Sequence, residues 1–574
     1  MANLSQERRE KMLAFLETLK EQHSDDESLI ALGEIERELK AKKYGLVWEE
    51  HEEEVDVIMR THIPVFVADD SKEILTDSIT ENYNFLLEGD NLHSLRLLEK
   101  THRGNIDVIY IDPPYNTGNK DFVYGDTYID GIDGFRHSKW LSFMAERLRI
   151  AHKLLSPTGA IFISIDDNEQ ATLKLLCDEI FGEVNFAGNI IIKSNPRGSQ
   201  SKKEIASLHE YVLVYTKNSE QAKIIGHELS EEMQSEYKYS DERGKYRLLG
   251  LRQRGGFWRA SERPNLFYPY YVDPVSESLS LDEDDNHSIA VYPYQPSTGE
   301  KGTWRWSKEK FATDGKSLIA KKVKRNGEII WDIYQKDYIG SEDVSRRTKA
   351  KSMWDEKEMN YQNAANELKD IFGTSPFTYA KPVYLIKRCL EMIDIPHDGF
   401  ILDFFAGSGT TGQAVLEHNK KDGGHRKFIL CTNNENGICE NVTYQRLKTV
   451  ITGKRADGSE YSEGIPSNLM YFRTDFVDKE SDELSDELLA HIREMIQLEH
   501  GIKIDDRKYV VILTEEEMDE FEENIADYPD LKAVFINSDI FLSAKQQKML
   551  NDVDSYVIPD YYFDFELREA GEIW

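Results

Sequence analysis

Two apolar runs in this chain stop at an aspartate, and the residues after each aspartate forbid the strand from going on. The first, Val108-Ile109-Tyr110-Ile111, meets Asp112-Pro113-Pro114-Tyr115-Asn116-Thr117-Gly118. Such a run reads as a buried strand, and two consecutive prolines have no N–H to give a ladder, so pairing ends where the Asp112 carboxylate emerges. The stiffened loop then carries prolyl carbonyls and the Tyr115 ring at a fixed distance from that acid. The second run, Phe400-Ile401-Leu402, meets Asp403-Phe404-Phe405-Ala406-Gly407-Ser408-Gly409-Thr410-Thr411-Gly412. Here the glycines let backbone approach a ligand, with a helix start behind them. Open α/β sheets bind ligands at the carboxyl ends of their strands. Taken alone, Asp-Pro-Pro is equally a proline-stiffened turn with a capping acid.

The surrounding rhythm predicts the sheet. Phe85 to Glu88 reads as a strand ending at Gly89-Asp90-Asn91, with a helix over Leu92 to Leu98. A helix is expected from about Trp140 to Leu155, stopped by Ser156-Pro157-Thr158-Gly159, then a strand from Ala160 to Ile165 ending in acids. Ile190 to Ile192, Tyr211 to Tyr215 and Lys427 to Cys431 supply further strands. Alternation of this kind indicates a doubly wound, mostly parallel α/β sheet. The chain divides into five segments: a helical N-terminal arm (1–60), a first catalytic half (61–219), an insert (220–376), a second half (377–465) and an acidic C-terminal α/β domain (466–574). In the arm, Met12, Phe15, Leu16 and Leu19 have helical spacing and read as packing on their own domain or as a pairing surface.

At 574 residues the chain can bury a large core, yet its net charge of −34 argues at first against nucleic acid. The charge is unevenly spread. From 193 to 376, 30 Lys and Arg face 29 Asp and Glu, whereas from 466 to 574 28 acids face 10 bases. The near-neutral insert interleaves bases with aromatics, which makes it a candidate nucleic-acid face or a solvated region with ordinary aromatic packing. The DNA-binding candidates are Lys193, Arg197, Lys202, Lys203, Arg252, Arg254, Trp258, Arg259, Trp304, Arg305, Lys321, Lys322, Arg346 and Arg347. Four scattered cysteines without a CxxC pair fit a reducing compartment and argue against zinc or a disulfide framework. The first residues lack an apolar signal core and no run of 18 apolar residues occurs, so a soluble cytoplasmic protein with no membrane partner is expected.

Three ligands compete for the glycine turn. A P-loop needs Gly-x-x-x-x-Gly-Lys-Ser/Thr, and Gln413 and Ala414 stand where the lysine and hydroxyl belong, which excludes ATP. Gly407 to Gly412 does match the dinucleotide pattern Gly-x-Gly-x-x-Gly, a rival that rests on a weak motif. S-adenosyl-L-methionine needs a glycine turn, a strand-end acid and an apolar wall, which Asp403, Phe404 and Phe405 supply. The chain offers no hydride-transfer site, while Asp-Pro-Pro-Tyr suits methyl transfer.

The order of these motifs resembles that of the β-class DNA amino-methyltransferases, whose catalytic half precedes the cofactor half in a permuted class I S-adenosylmethionine methyltransferase fold. Gly89-Asp90-Asn91-Leu92, Asp112 to Gly118, His209-Glu210-Tyr211, Lys381-Pro382 and Asp403 to Thr411 are similar to modification subunits of type III restriction systems and to solitary clostridial adenine methyltransferases. The resemblance covers about 83–216 and 377–447. It implies that Asp112 and the Pro113 carbonyl hold the target amine, with Pro114 stiffening the loop, and that Tyr115 stacks on a flipped base. It implies further that Asp403, Phe405, Gly407, Ser408, Gly409 and Thr410 surround the methionine part of the cofactor beside Phe404, Lys381 and Pro382, and that Asp90 and Asn91 meet its adenine. The family's ribose-binding acid is missing after Lys427 to Cys431, where Asn433 or Glu435 takes its place. The resemblance thus implies a site-specific adenine-N6 methyltransferase acting on duplex DNA, with the insert as target-recognition domain. A type III modification subunit and a cytosine-N4 enzyme are the alternatives. An aspartate at the first motif position goes mostly with adenine. The enzyme is expected to be nucleoid-associated in a bacterium, as monomer or homodimer, without metal and with a restriction subunit possible but not favoured.

Overall fold

The two interrupted runs lie side by side at the centre of one large sheet. The computed structural model describes residues 4–22, 26–40, 48–49, 51–77, 81–124, 127–130, 135–198, 204–325, 327–341, 344–551, 553–558 and 562–563. The chain forms two compact units, Met1–Ile224 with Lys351–Trp574, and Ile225–Ala350.

In the first unit the sheet is built from β1 (His62–Ala68), β2 (Tyr83–Glu88), β3 (Ile106–Ile111), β4 (Leu155–Ile165), β5 (Phe186–Ile192), β6 (Glu210–Thr216), β7 (Met353–Trp354), β8 (Phe400–Asp403), β9 (Lys427–Thr432) and β10 (Asn468–Asp478). Their order is β1-β10-β2-β9-β8-β3-β4-β6-β5-β7, with Ile74–Leu75 added on β10. Every neighbour from β10 to β4 is parallel. The pairs β1·β10, β4·β6 and β5·β6 are antiparallel. The fold is therefore mixed α/β around a large, mostly parallel sheet. Strands β3, β8 and β9 are buried almost throughout, which is why they read as unbroken apolar runs rather than alternating ones.

Strand β8 enters between β3 and β9, Ile401 opposite Val108 and Leu402 opposite Ile109, after a register irregularity at Phe400. Asp107 fixes that entry, since its Oδ2 accepts from the Phe400 N–H at 3.1 Å. Consequently the carboxyl ends of β2, β9, β8 and β3 share one edge. One local expectation shifts. The helix over Arg136–Leu154 ends where predicted, but β4 begins at once at Leu155, opposite Ile106, and runs through Pro157 and Gly159. The close approach at Gly159 explains this, because a Cβ there would lie 2.8 Å from the Ile106 carbonyl.

Helices α1 (Leu4–Gln22) and α2 (Asp26–Lys40) form the arm and are joined by a Lys20–Glu36 ion pair. Leu16 is buried, whereas Met12, Phe15, Ile30 and Ile35 stay exposed, so the apolar stripe is only partly covered. The C-terminal strands Tyr509–Ile512, Ala533–Asn537 and Asp554–Ile558 make a small parallel sheet counted with the first unit. Lys508, Lys532 and Tyr509 converge on Glu81 beside β2. Burial opposes ionisation of Glu81, but those three donors outweigh it and bring its carboxyl down to about 2.

The second unit carries a four-stranded antiparallel sheet in the order Tyr239–Asp241, Gly244–Gly250, Glu328–Tyr338, Leu318–Arg325. Its core gathers Tyr268, Tyr270, Trp304, Trp306 and Ile333. Among the described residues no helix is long and apolar enough to cross a membrane.

Candidate active site

Asp112 leaves β3 at the floor of a cleft lined also by Tyr110, Phe377, Lys381, Asp403, Phe405 and the glycine turn. The loop after Asp112 is pinned from behind. Trp140 donates its indole N–H to the Pro114 carbonyl at 2.7 Å. Asn116 is fully buried in the left-handed region at φ 56°, a conformation asparagine tolerates. Its amide donates to Glu169 Oε1 at 2.6 Å and to the Arg136 carbonyl at 3.2 Å. Tyr115 is thereby aimed by contacts on both sides of it.

Lys381 reaches this floor from the residue before Pro382, which caps helix α3 (Val383–Glu391). Its Nζ lies 2.9 Å from Asp112 Oδ1 and 3.6 Å from Glu210 Oε2. The first contact is a close ion pair. Glu210 opens β6, and its Oε2 accepts from Tyr115 Oη at 2.9 Å and Tyr361 Oη at 2.5 Å. The same ammonium stands 4.8 Å from the Tyr115 ring centre and 4.9 Å from that of Tyr361. Burial raises the Asp112 carboxyl above the usual range, with Lys381 pulling the other way. Burial also works against the Lys381 charge, but the Asp112 and Glu210 carboxylates overcome it and hold the lysine cationic.

The glycine turn comes directly after β8. Gly407 and Gly409 adopt φ of 49° and 78°. A Cβ on either would press on Phe377 at 3.3 Å or Thr443 at 3.1 Å, so the turn needs glycine for its conformation and its neighbours alike. Helix α4 (Thr410–Asp422) starts directly behind it. Sequence reasoning missed the brace: fully buried Arg446 donates to Thr410 Oγ1 at 2.8 Å, Ser408 Oγ at 3.2 Å and Gln413 Oε1 at 2.9 Å. Gln413, which stands in the P-loop lysine's place, is thus turned away from any ligand. Asp403 is 3% exposed and accepts from the Phe405 N–H at 3.0 Å and from the Thr411 hydroxyl. Burial pushes its carboxyl up to about 7, against those two donors and with the charge of Asp112. A strand-end acid, an apolar wall and a turn that a Cβ would obstruct fit a cationic, nucleoside-bearing cofactor.

Beyond β2, Asp90 Oδ1 caps the helix over Asn91–Thr101 through the Leu92 N–H at 2.8 Å. Asn91 bridges the strands, donating to the Phe404 carbonyl at 2.7 Å and accepting from Arg147 Nε at 2.6 Å. Arg147, also unforeseen, is fully buried and paired with Glu53 at 2.7 Å, a pairing that a buried guanidinium requires. Phe404 is buried in the core, and Asn433 and Glu435 lie exposed past β9. The cleft therefore unites Asp112, Lys381, Asp403, Phe405, Gly407, Ser408 and Thr410, with Tyr115 against Lys381. Asp90, Asn91, Asn433 and Glu435 stand at adjoining strand ends.

The basic candidates divide. Arg197 is exposed and Lys193 half-buried in the first unit, and Lys202 and Lys203 lie outside the described residues. In the second unit Arg254, Arg259, Arg305 and Lys322 are exposed, with Arg259 over the Trp258 ring at 4.8 Å. Trp304 is a correction. It is fully buried and donates to the Tyr268 carbonyl at 2.8 Å, so it belongs to the core. Arg252 is likewise structural, paired with buried Asp332 at 2.8 Å. Lys321 is engaged by Glu277, Arg346 by Asp337 and Arg347 by the Gly226 carbonyl. Among the described residues no group of three or more His, Cys, Asp or Glu is placed to hold a metal. The four cysteines are buried free thiols.

The family model described as DNA methylase, of the N6/N4 type, matches residues 106–443. That stretch runs from β3 to Thr443 and so contains both strand-end halves. The chain is 40% identical over 359 residues to the type II methyltransferase M.KpnI of Klebsiella pneumoniae, covering 62% of this chain and 82% of that protein. It is 34% identical over 397 residues to the EcoPI Mod subunit, from a type III restriction-modification enzyme of Escherichia phage P1, with 64% of this chain and 60% of the subunit covered. The StyLTI Mod subunit of Salmonella typhimurium is 32% identical over 433 residues, with 70% and 61% covered. The match thus spans less than two thirds of either Mod subunit. With two halves of one strand-end site inside the matched region, the chain belongs to the N6/N4 family of DNA methylases, which use S-adenosyl-L-methionine as methyl donor.

Proposed function

We propose that this protein methylates N6 of an adenine flipped out of duplex DNA, at a specific and asymmetric site on one strand, and that it acts without a restriction partner. The observation that carries the reading is the Asp112 carboxylate at the end of β3, brought into one cleft with Asp403 and the glycine turn. S-adenosyl-L-methionine supplies a methyl group on a sulfonium leaving group, so the chain needs neither metal nor covalent nucleophile. The residues must prepare the amine. The N6 lone pair is delocalised into the ring, and acceptors at Asp112 and the Pro113 carbonyl pull the amine toward tetrahedral geometry. Asp112 then takes the proton that N6 loses as its bond to carbon forms. Tyr115 receives the flipped base, and stacking worth about 1–3 kcal/mol offsets part of the extrusion cost. Asp403 and Gly407 to Thr410 would hold the cationic methionine part of the cofactor, and Asp90 with Asn433 or Glu435 its adenosine.

The segments 61–219 and 377–465 act as permuted catalytic and cofactor halves, the unit Ile225–Ala350 within the insert reads the target, and 466–574 carries no assigned chemistry. Adenine rather than cytosine is inferred from aspartate at position 112, through the resemblance to the β-class amino-methyltransferases. The likeness to Mod subunits favours a second reading, a modification subunit that works with a restriction partner.

Replacing Asp112 with alanine is expected to lower single-turnover methylation by about 10² or more while DNA affinity stays near wild type. Retained activity would show that the acceptor lies elsewhere. For the insert, joint replacement of Arg254, Arg259 and Lys322 by alanine should weaken DNA binding and flatten its salt dependence by about 0.9 in log–log slope for each phosphate no longer neutralised. An unchanged slope moves the DNA face to other residues. The Asp403 carboxyl, raised to about 7, is ionised above that pH and neutral below it. Cofactor affinity measured calorimetrically should therefore fall by up to about tenfold per unit as pH drops below about 7, and Asp403→Asn should remove the dependence. A wild-type affinity that is flat between about pH 8 and about pH 5.5 contradicts this role.

A further inference from the structure

The cation on Asp112 stands where the substrate should be. Lys381 Nζ is 2.9 Å from the carboxylate oxygen assigned to the target amine, and 4.8 Å from the centre of the ring assigned to the base. An incoming adenine must bring its own amino nitrogen to that oxygen and its own ring to that face, so the ammonium has to yield. A second carboxylate waits 3.6 Å from it, Glu210, whose Oε2 is held by the hydroxyls of Tyr115 and Tyr361. Tyr361 belongs to helix Tyr361–Phe372 of the first unit, and its ring also faces the ammonium at 4.9 Å.

We propose that Lys381 is a movable counter-ion that rests on Asp112 in the free enzyme and shifts to Glu210 when the flipped base enters. This rests on the methyl-transfer reading and deepens it. Lys381 and Glu210 are then positioning residues, acting through Asp112. The trio carries two negative charges and one positive, a surplus of one negative charge beside the atom that becomes cationic as it is methylated. Once Asp112 has taken the N6 proton, the trio is neutral and the ammonium remains paired with Glu210. The exchange avoids leaving Asp112 as a bare charge in a partly buried site, where an unpaired ion is costly. The other groups facing these carboxylates are Tyr110 and Asp403 toward Asp112, and Asp166, at the end of β4, toward Glu210. None of these is a cation, so the charge that holds Asp112 ionised is that of Lys381.

The test is the pH dependence of single-turnover methylation. In Lys381→Met the acid limb, which reports ionisation of Asp112, should move up by about one unit or more. In Glu210→Gln it should move down, because a negative neighbour is gone, while Lys381→Arg keeps it near wild type. Opposite shifts in the two variants distinguish a charge relay from a packing role. Limbs that stay put, or move the same way, overturn the proposal. Should Lys381→Met be inactive, 2-aminopurine beside the mapped target adenine, which brightens when that adenine leaves the stack, gives the second readout. Its emission should drop in Glu210→Gln, where the lysine is left on Asp112, and not in Lys381→Met; an equal drop in both overturns the exchange. A wild-type protein that does not methylate DNA would instead refute the reading on which this rests.

Discussion

The site exists because β8 pairs in parallel with β3. That contact sets Leu402 against Ile109 and joins segments about 290 residues apart in sequence. Everything at the strand edge depends on its register, since a slip of one residue would exchange the faces of a strand buried on both sides. The hydrogen bond from Phe400 to Asp107 holds that register at the point where β8 enters. Closing so long a loop adds little beyond closing a shorter one, because the entropic cost grows only logarithmically with length. A whole second unit can therefore be inserted between the halves without undoing their pairing.

Register alone would collect carboxylates at one edge and leave them repelling each other. Asp112, Asp403 and Glu210 each lie in or beside one cleft, partly shielded from solvent. Different devices settle each one. Asp403 takes donors from Thr411 and the Phe405 N–H and still sits near neutral pH. Glu210 is gripped by two phenols, and Lys381 serves both Glu210 and Asp112. On the proposed reading the cofactor and the base each bring positive character to this edge, and the site is then preorganised for charge that arrives with the substrates. Behind it, Arg446 and Arg147 brace the glycine turn and the Asn91 crossover from fully buried positions.

Local features were legible in the sequence. Proline pairs and glycine turns act on their own strand, so Asp112 and Asp403 could be placed at strand ends, and the large parallel sheet could be inferred from the alternation around them. Partners supplied by distant segments could not be found this way. Glu210 was visible only as a familiar triplet, and Tyr361 falls in a stretch read as part of the insert although it packs in the first unit. Arg147 and Arg446 look like surface charges because arginine is seldom fully buried. Composition also cannot tell a stacking tryptophan from a core one, and Trp304 proves to be the latter.

Delivery of a methyl group to adenine N6 at this strand edge is tested most directly by nucleoside mass spectrometry of duplex DNA after incubation with purified protein and S-adenosyl-L-methionine. N6-methyladenine is the expected methylated product; N4-methylcytosine, or no methylated nucleoside, would contradict it.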